Sequence, residues 1–73
     1  MSALIVTPRD ERIWQVRLDG STEPLSEHED ATAALRAATD HARRIGGGDV
    51  LLRDRQHHVH LARRVVARDA RLR

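Results

Sequence analysis

The chain is predicted to be an α+β domain of the ββαββ type, a four-stranded antiparallel sheet with one helix packed on one face. Three observations carry this. Ala31, Ala34, Leu35, Ala38, Ala42 and Ile45 recur at helical spacing, between Ser26 and the run Gly46-Gly47-Gly48. The residues before that segment alternate between apolar and polar with a period of two, and so do the residues after it.

Leu4-Ile5-Val6-Thr7 is a short run rich in β-branched residues and reads as the first strand, at or near a sheet edge. Pro8 has no N–H to give to a ladder, so the strand should stop there. Ile13 to Leu18 alternates, with Trp14, Val16 and Leu18 on one side and Gln15 and Arg17 on the other. The short polar connection makes these two strands an antiparallel hairpin, and Asp19-Gly20 closes the second of them in a turn. Ser26-Glu27-His28-Glu29 matches a capping box, in which the serine hydroxyl and the glutamate carboxylate each satisfy a free N–H of the first helical turn. The three glycines after Ile45 offer the left-handed conformations that end a helix. Asp49 to Arg53 reads as the third strand, Asp54-Arg55-Gln56-His57 as a turn, and His58 to Ala62 as the fourth strand. Residues 1–62 are thus expected to form one domain, followed by an Arg-rich tail over residues 63–73 in which Val65 and Val66 could prolong the last strand.

In this arrangement Trp14, Val16, Leu18, Val50, Leu52, Val59 and Leu61 face the helix. The helix itself buries little more than alanines, Leu35 and Ile45, so it must lie close to the sheet, with Trp14 filling the space. The opposite face presents Gln15, Arg17, Arg53, His58 and His60, interspersed with Ile5, Ile13, Leu51 and Ala62. A solvated face has no need of several aliphatic residues, so this surface is expected to meet a partner. The expected contact residues are Ile5, Ile13, Arg17, Leu51, Arg53, His58 and His60.

Size and composition narrow the function classes. A 73-residue chain buries only about 60% of the surface its unfolded form exposes. With no cysteine, no disulfide can compensate, which leaves self-association. A homodimer is therefore expected, paired through an edge strand (the first or the fourth) or through the second sheet face. No apolar run approaches the roughly 20 residues of a membrane span, and the run from Ala3 to Val6 is too short for a secretory signal, which points to the cytoplasm.

The net charge of +2 conceals an asymmetry: residues 1–40 carry four Arg against eight acids, and residues 41–73 carry nine Arg against three. All the basic side chains are Arg and none is Lys, a pattern that suits bidentate contacts to phosphate as well as it suits a GC-rich genome. Arg43, Arg44, Arg63, Arg64 and Arg68 are accordingly the candidates for binding a polyanion such as nucleic acid, the alternative to a protein-interaction module. That alternative is weakened by the single aromatic residue, since readers of single strands stack bases on exposed rings. It is weakened also by Glu27, Glu29 and Asp40, which the sequence places on the exposed side of the helix.

No catalytic set emerges. His57-His58-x-His60 would set two imidazoles on one side of a strand, but zinc needs three or four ligands, and no cysteine or placed carboxylate completes them. The glycine triplet follows a helix and precedes a strand, the reverse of a phosphate loop. Ser2, Ser21 and Ser26 are read as terminus, turn and cap. No enzyme activity, cofactor or metal is expected.

The succession Trp14-x-Val16, Gly20, Ser26, Ala34, Ala38 and Ala42, a glycine-rich stop, and Asp49-Val50-x-Leu52 resembles a family of small bacterial proteins catalogued as a domain of unknown function. The resemblance covers about residues 4–62 and implies two hairpins around a helix. The family's closing hairpin usually carries Asp-Gly at its turn, where this chain has Asp54-Arg55-Gln56-His57. The resemblance implies no activity, cofactor or catalytic residue.

Overall fold

Alternating and helical patterns become six elements in a computed structural model that describes residues 3–66. They are β1 (Ala3–Pro8), β2 (Trp14–Leu18), β3 (Pro24–His28), α1 (Ala31–Arg44), β4 (Gly48–Arg53) and β5 (Val59–Val65). The sheet order is β3-β2-β1-β4-β5. Neighbouring strands are antiparallel except β1 and β4, which run parallel. The α+β class and the single helix are as expected, but the sheet is mixed and has five strands, not four antiparallel ones.

The extra strand comes from the segment that matches a capping box. Ser26, Glu27 and His28 pair with Val16, Gln15 and Trp14 as part of β3. A cap contributes about 1 kcal/mol, whereas β3 adds a ladder of hydrogen bonds along the edge of β2. The helix starts instead at Asp30, in extended backbone, whose carboxylate accepts from the Ala33 N–H at 2.7 Å. Its end is as the glycines predict: the Gly46 N–H donates to the Arg43 carbonyl at 3.3 Å and the Gly47 N–H to the Ala42 carbonyl at 2.7 Å. Both glycines have positive φ, 98° and 107°. With β3 in front of it, α1 is the crossover of a β3–α1–β4 unit, and such a connection delivers a strand parallel to the one it left. The missed strand and the missed parallel pairing are thus one error. It also moves β1 from an edge to the centre, so the edges open to a partner are β3 and β5.

The register of β5 departs from expectation for a second reason. A four-residue turn would pair Arg53 with His58 and set Val59 and Leu61 against the core residues Leu52 and Val50. The loop instead holds Asp54 to His58, so Arg53 pairs with Val59 and Leu51 with Leu61. A slip of one residue carries a whole strand to the other face. Val59 and Leu61 therefore lie on the face away from the helix, and His60, opposite Leu52, lies on the helix side. A bulge then resets the register: Val50 pairs with Arg63, leaving Ala62 without a partner. This brings Val65 into the core. The strand thus runs three residues into the stretch expected to be a tail.

The core consists of Leu4, Val6, Val16, Val50 and Val65 from the sheet and Ala34, Ala38 and Ala42 from the helix. Trp14, Leu18, Leu35 and Leu52 pack around it, partly buried. Trp14 thus borders the core rather than filling it, with the Arg55 guanidinium 5.1 Å from its ring centroid. Ile45, expected under the helix, is exposed.

Candidate functional site

The sheet face away from α1 divides into two halves. On β2 and β3, polar side chains satisfy one another. Gln15 donates to Glu27 at 2.8 Å, Arg17 donates to Gln15 at 3.2 Å, and Arg9 donates to both Glu27 carboxylate oxygens at 3.2 and 3.1 Å. Gln15 and Thr7, paired across β2 and β1 on the uncovered face, are only 8% and 6% exposed. Across β1, β4 and β5 the middle of the face is aliphatic. Ile5 pairs with Leu51 and Leu51 with Leu61, so the three form a stripe across adjacent strands, and Val59 lies beside it. Leu61 is 51% exposed and Val59 48%. Arg53 lies opposite Val59, and Arg64 holds Asp49 at 3.0 Å on the same face.

The expected contact set is partly assembled here. Ile5, Arg17, Leu51 and Arg53 share this face. Ile13 is half-buried in the loop before β2, where its carbonyl accepts from the Arg9 and Asp10 N–H groups. His58 and His60 do not join the set. They turn toward Asp54, with His58 Nδ1 at 3.5 Å and His60 Nε2 at 3.2 Å from its carboxylate. Leu61 and Val59 belong to the surface but were missed, because the sequence does not fix the loop length that sets their register.

The Asp54 corner has its own chemistry. Its carboxylate accepts from the His58 N–H at 2.9 Å and the Gln56 N–H at 2.8 Å. The His58 N–H, followed by the His60 ring and the Gln56 N–H, outweighs desolvation and holds this carboxyl at about 2. At the other loop of this end, the Arg12 N–H and then that of Ile13 lower Asp10. Arg55 ties the two loops together, donating to the Asp10 and Glu11 carbonyls at 2.8 and 3.2 Å. These contacts describe a braced hairpin end. Among the described residues, no group of three or more His, Cys, Asp or Glu is placed to hold a metal ion.

Two grooves flank the helix. One, of about 270 Å³ between α1 and β3, holds Ser26, His28, His41 and Arg44. Ser26 Oγ and His28 Nε2 share a hydrogen bond of 2.8 Å, which the capping-box reading of this segment does not suggest. The bond satisfies two polar groups beside an edge. The other groove, of about 330 Å³ between α1 and β5, gathers Arg36, Arg43 and Arg63. Of the expected polyanion set, Arg43 and Arg63 thus come together, Arg44 lies across the helix, Arg64 faces the opposite side of the sheet, and Arg68 lies outside the described residues. Among those residues no helix is long and apolar enough to cross a membrane.

A family described as an uncharacterized protein conserved in bacteria matches residues 5–65, nearly the whole of the described fold. No curated protein and no solved structure is significantly similar to the chain.

Proposed function

We propose, for a chain that belongs to the uncharacterized bacterial family DUF2188, that it is a small non-catalytic interaction module which pairs with a second copy of itself through the helix-free sheet face. The observation that carries this reading is the aliphatic stripe of Ile5, Leu51 and Leu61 with Val59 beside it, on the face away from α1. Among the described residues, every fully buried side chain larger than alanine is a Leu or a Val, namely Leu4, Val6, Val16 and Val50. So small a core leaves the fold short of apolar burial, and covering the stripe supplies more. A standard interface takes roughly 800 Å² from each partner, about one-seventh of the 5220 Å² this chain exposes.

A two-fold axis suits the stripe. The acids of this face are already paired, Glu27 with Arg9 and Asp49 with Arg64, so among the described residues no unpaired carboxylate borders the stripe. A two-fold through the stripe sets the Ile5, Leu51 and Leu61 rows of two copies against each other, as an isologous contact requires. Face-to-face pairing also avoids placing two β5 edges, each with Arg63 and Arg64, side by side. Backbone amide NMR over a dilution series tests this reading. Shifts should concentrate at Ile5, Leu51, Val59 and Leu61, with α1 unmoved. Spectra that do not change with concentration, together with the diffusion constant of one chain, would refute it.

A further inference from the structure

We propose that the groove between α1 and β5 binds the phosphodiester backbone of a nucleic acid through Arg36, Arg43 and Arg63. This site is on the helix side of the sheet and is independent of the self-association face. Its first support is the corrected helix boundary. Glu27 and Glu29 precede α1, so Asp40 is the sole acidic residue from Ala31 to Arg44, against Arg36, Arg43 and Arg44. The exposed side of the helix is therefore basic, whereas a helix starting at Ser26 would have been of mixed sign.

The second support is the β5 bulge. By leaving Ala62 unpaired it sets Arg63 opposite Val50, on the helix side, where it lines the groove with the two helical arginines. Arg43 lies 3.6 Å from Asp40, with both side chains at least half exposed. Arg36 and Arg63 have no carboxylate partner among the described residues. Two forked, permanently charged guanidinium groups are thus open to an anion.

The layout selects the kind of anion. At 1.5 Å of rise per residue, Arg36 and Arg43 are about 10 Å apart along the helix axis. Asp40 stands between them. A single phosphate centred in the groove would meet that carboxylate. A strand that carries one phosphate after another can set charges on either side of it. Thr32 adds a hydroxyl donor, and Leu35 and Ala62 add an aliphatic floor. The Trp14 ring is capped by Arg55, so no indole is offered for base stacking. The site therefore holds backbone and tolerates any sequence.

Fluorescence anisotropy of labelled oligothymidylate with the full chain tests this, with labelled polyglutamate as the acidic-protein control. Oligothymidylate should bind with an affinity that falls steeply with salt. The double variant Arg36→Gln/Arg63→Gln should weaken binding by about tenfold and flatten the slope of log K against log salt by about 1.4, the loss of two single-strand phosphate contacts. The charge-matched variant Arg12→Gln/Arg44→Gln should change both far less. Asp40→Asn should tighten binding, a gain that misfolding would not produce. Equal losses in the two double variants would reduce the effect to diffuse charge and overturn the site. Equal binding of polyglutamate would assign the groove to an acidic protein surface, and no binding at low salt would dismiss it. A dimer that fails to form leaves these readouts unchanged, so the two proposals fall separately.

Discussion

Replacing Trp14 by Ala separates a core-filling indole from one at the margin of the core. A fully buried Trp truncated to Ala costs about 3–5 kcal/mol. Trp14 is half-buried, packed on the core with one face under Arg55 at 5.1 Å, so about half of that is forfeited, or ~2 kcal/mol. The cation–π contact adds about 0.5–1 kcal/mol at an exposed site. Trp14→Ala is therefore expected to cost ~2–3 kcal/mol, and the cycle with Arg55→Ala to show a coupling of ~0.5–1 kcal/mol. A domain of this length is stabilised by roughly 4–10 kcal/mol in total, so the variant remains folded and measurable. Urea denaturation followed by far-UV circular dichroism, which does not need the indole, reads all four members of the cycle. A cost above about 4 kcal/mol would restore the indole to the interior. A coupling indistinguishable from zero would remove the Arg55 cap.

Other consequences follow from local geometry. Asp30→Ala should cost about 1 kcal/mol through loss of the cap on α1, whereas Ser26→Ala should not fray that helix; amide exchange at Ala33 and Ala34 distinguishes them. His57 sits at φ 70°, a strained conformation for a residue with a Cβ, so His57→Gly should stabilise the hairpin by up to about 1 kcal/mol in thermal or urea melts. The Asp54 carboxyl is depressed from 3.8 to about 2. A depressed acid contributes its stability in full above the unfolded pKa and loses it as pH falls toward the folded one, so the contribution should fade between about pH 4 and pH 2. Asp54→Asn should remove that part of the acid sensitivity, and carboxyl NMR should place the midpoint well below that of an unstructured aspartate.

The parts of the fold that were legible in the sequence are those that local chemistry decides. The helix stop was readable because Gly46 and Gly47 adopt conformations other residues resist. The β1–β2 hairpin and the alternation of Trp14, Val16 and Leu18 were readable because a period of two marks a half-buried strand. The helix start was misread because Ser26-Glu27-His28-Glu29 satisfies a capping rule, whereas Ser26, Glu27 and His28 pair with β2. That same ambiguity hid the parallel pairing of β1 with β4. The contact face was half legible. Ile5, Arg17, Leu51 and Arg53 fall on it by parity along their strands, but the faces of Val59, His60 and Leu61 depend on whether the final loop has four or five residues. Asp54 settles this by accepting two backbone N–H groups from inside the loop, an arrangement that no spacing rule reveals. Arg63 reached the helix side only through the bulge at Ala62, which the sequence does not mark.

Sedimentation equilibrium of the wild-type chain and of Leu61→Arg, across the micromolar range, addresses the self-association claim most directly. The wild type should approach twice the 8.3 kDa chain mass as concentration rises. Leu61→Arg, which sets a charge into a half-exposed position of the stripe, should stay at the mass of one chain with an unchanged circular dichroism spectrum. A wild type that sediments as one chain at every concentration, or a Leu61→Arg variant that dimerises as well as the wild type, would contradict the account.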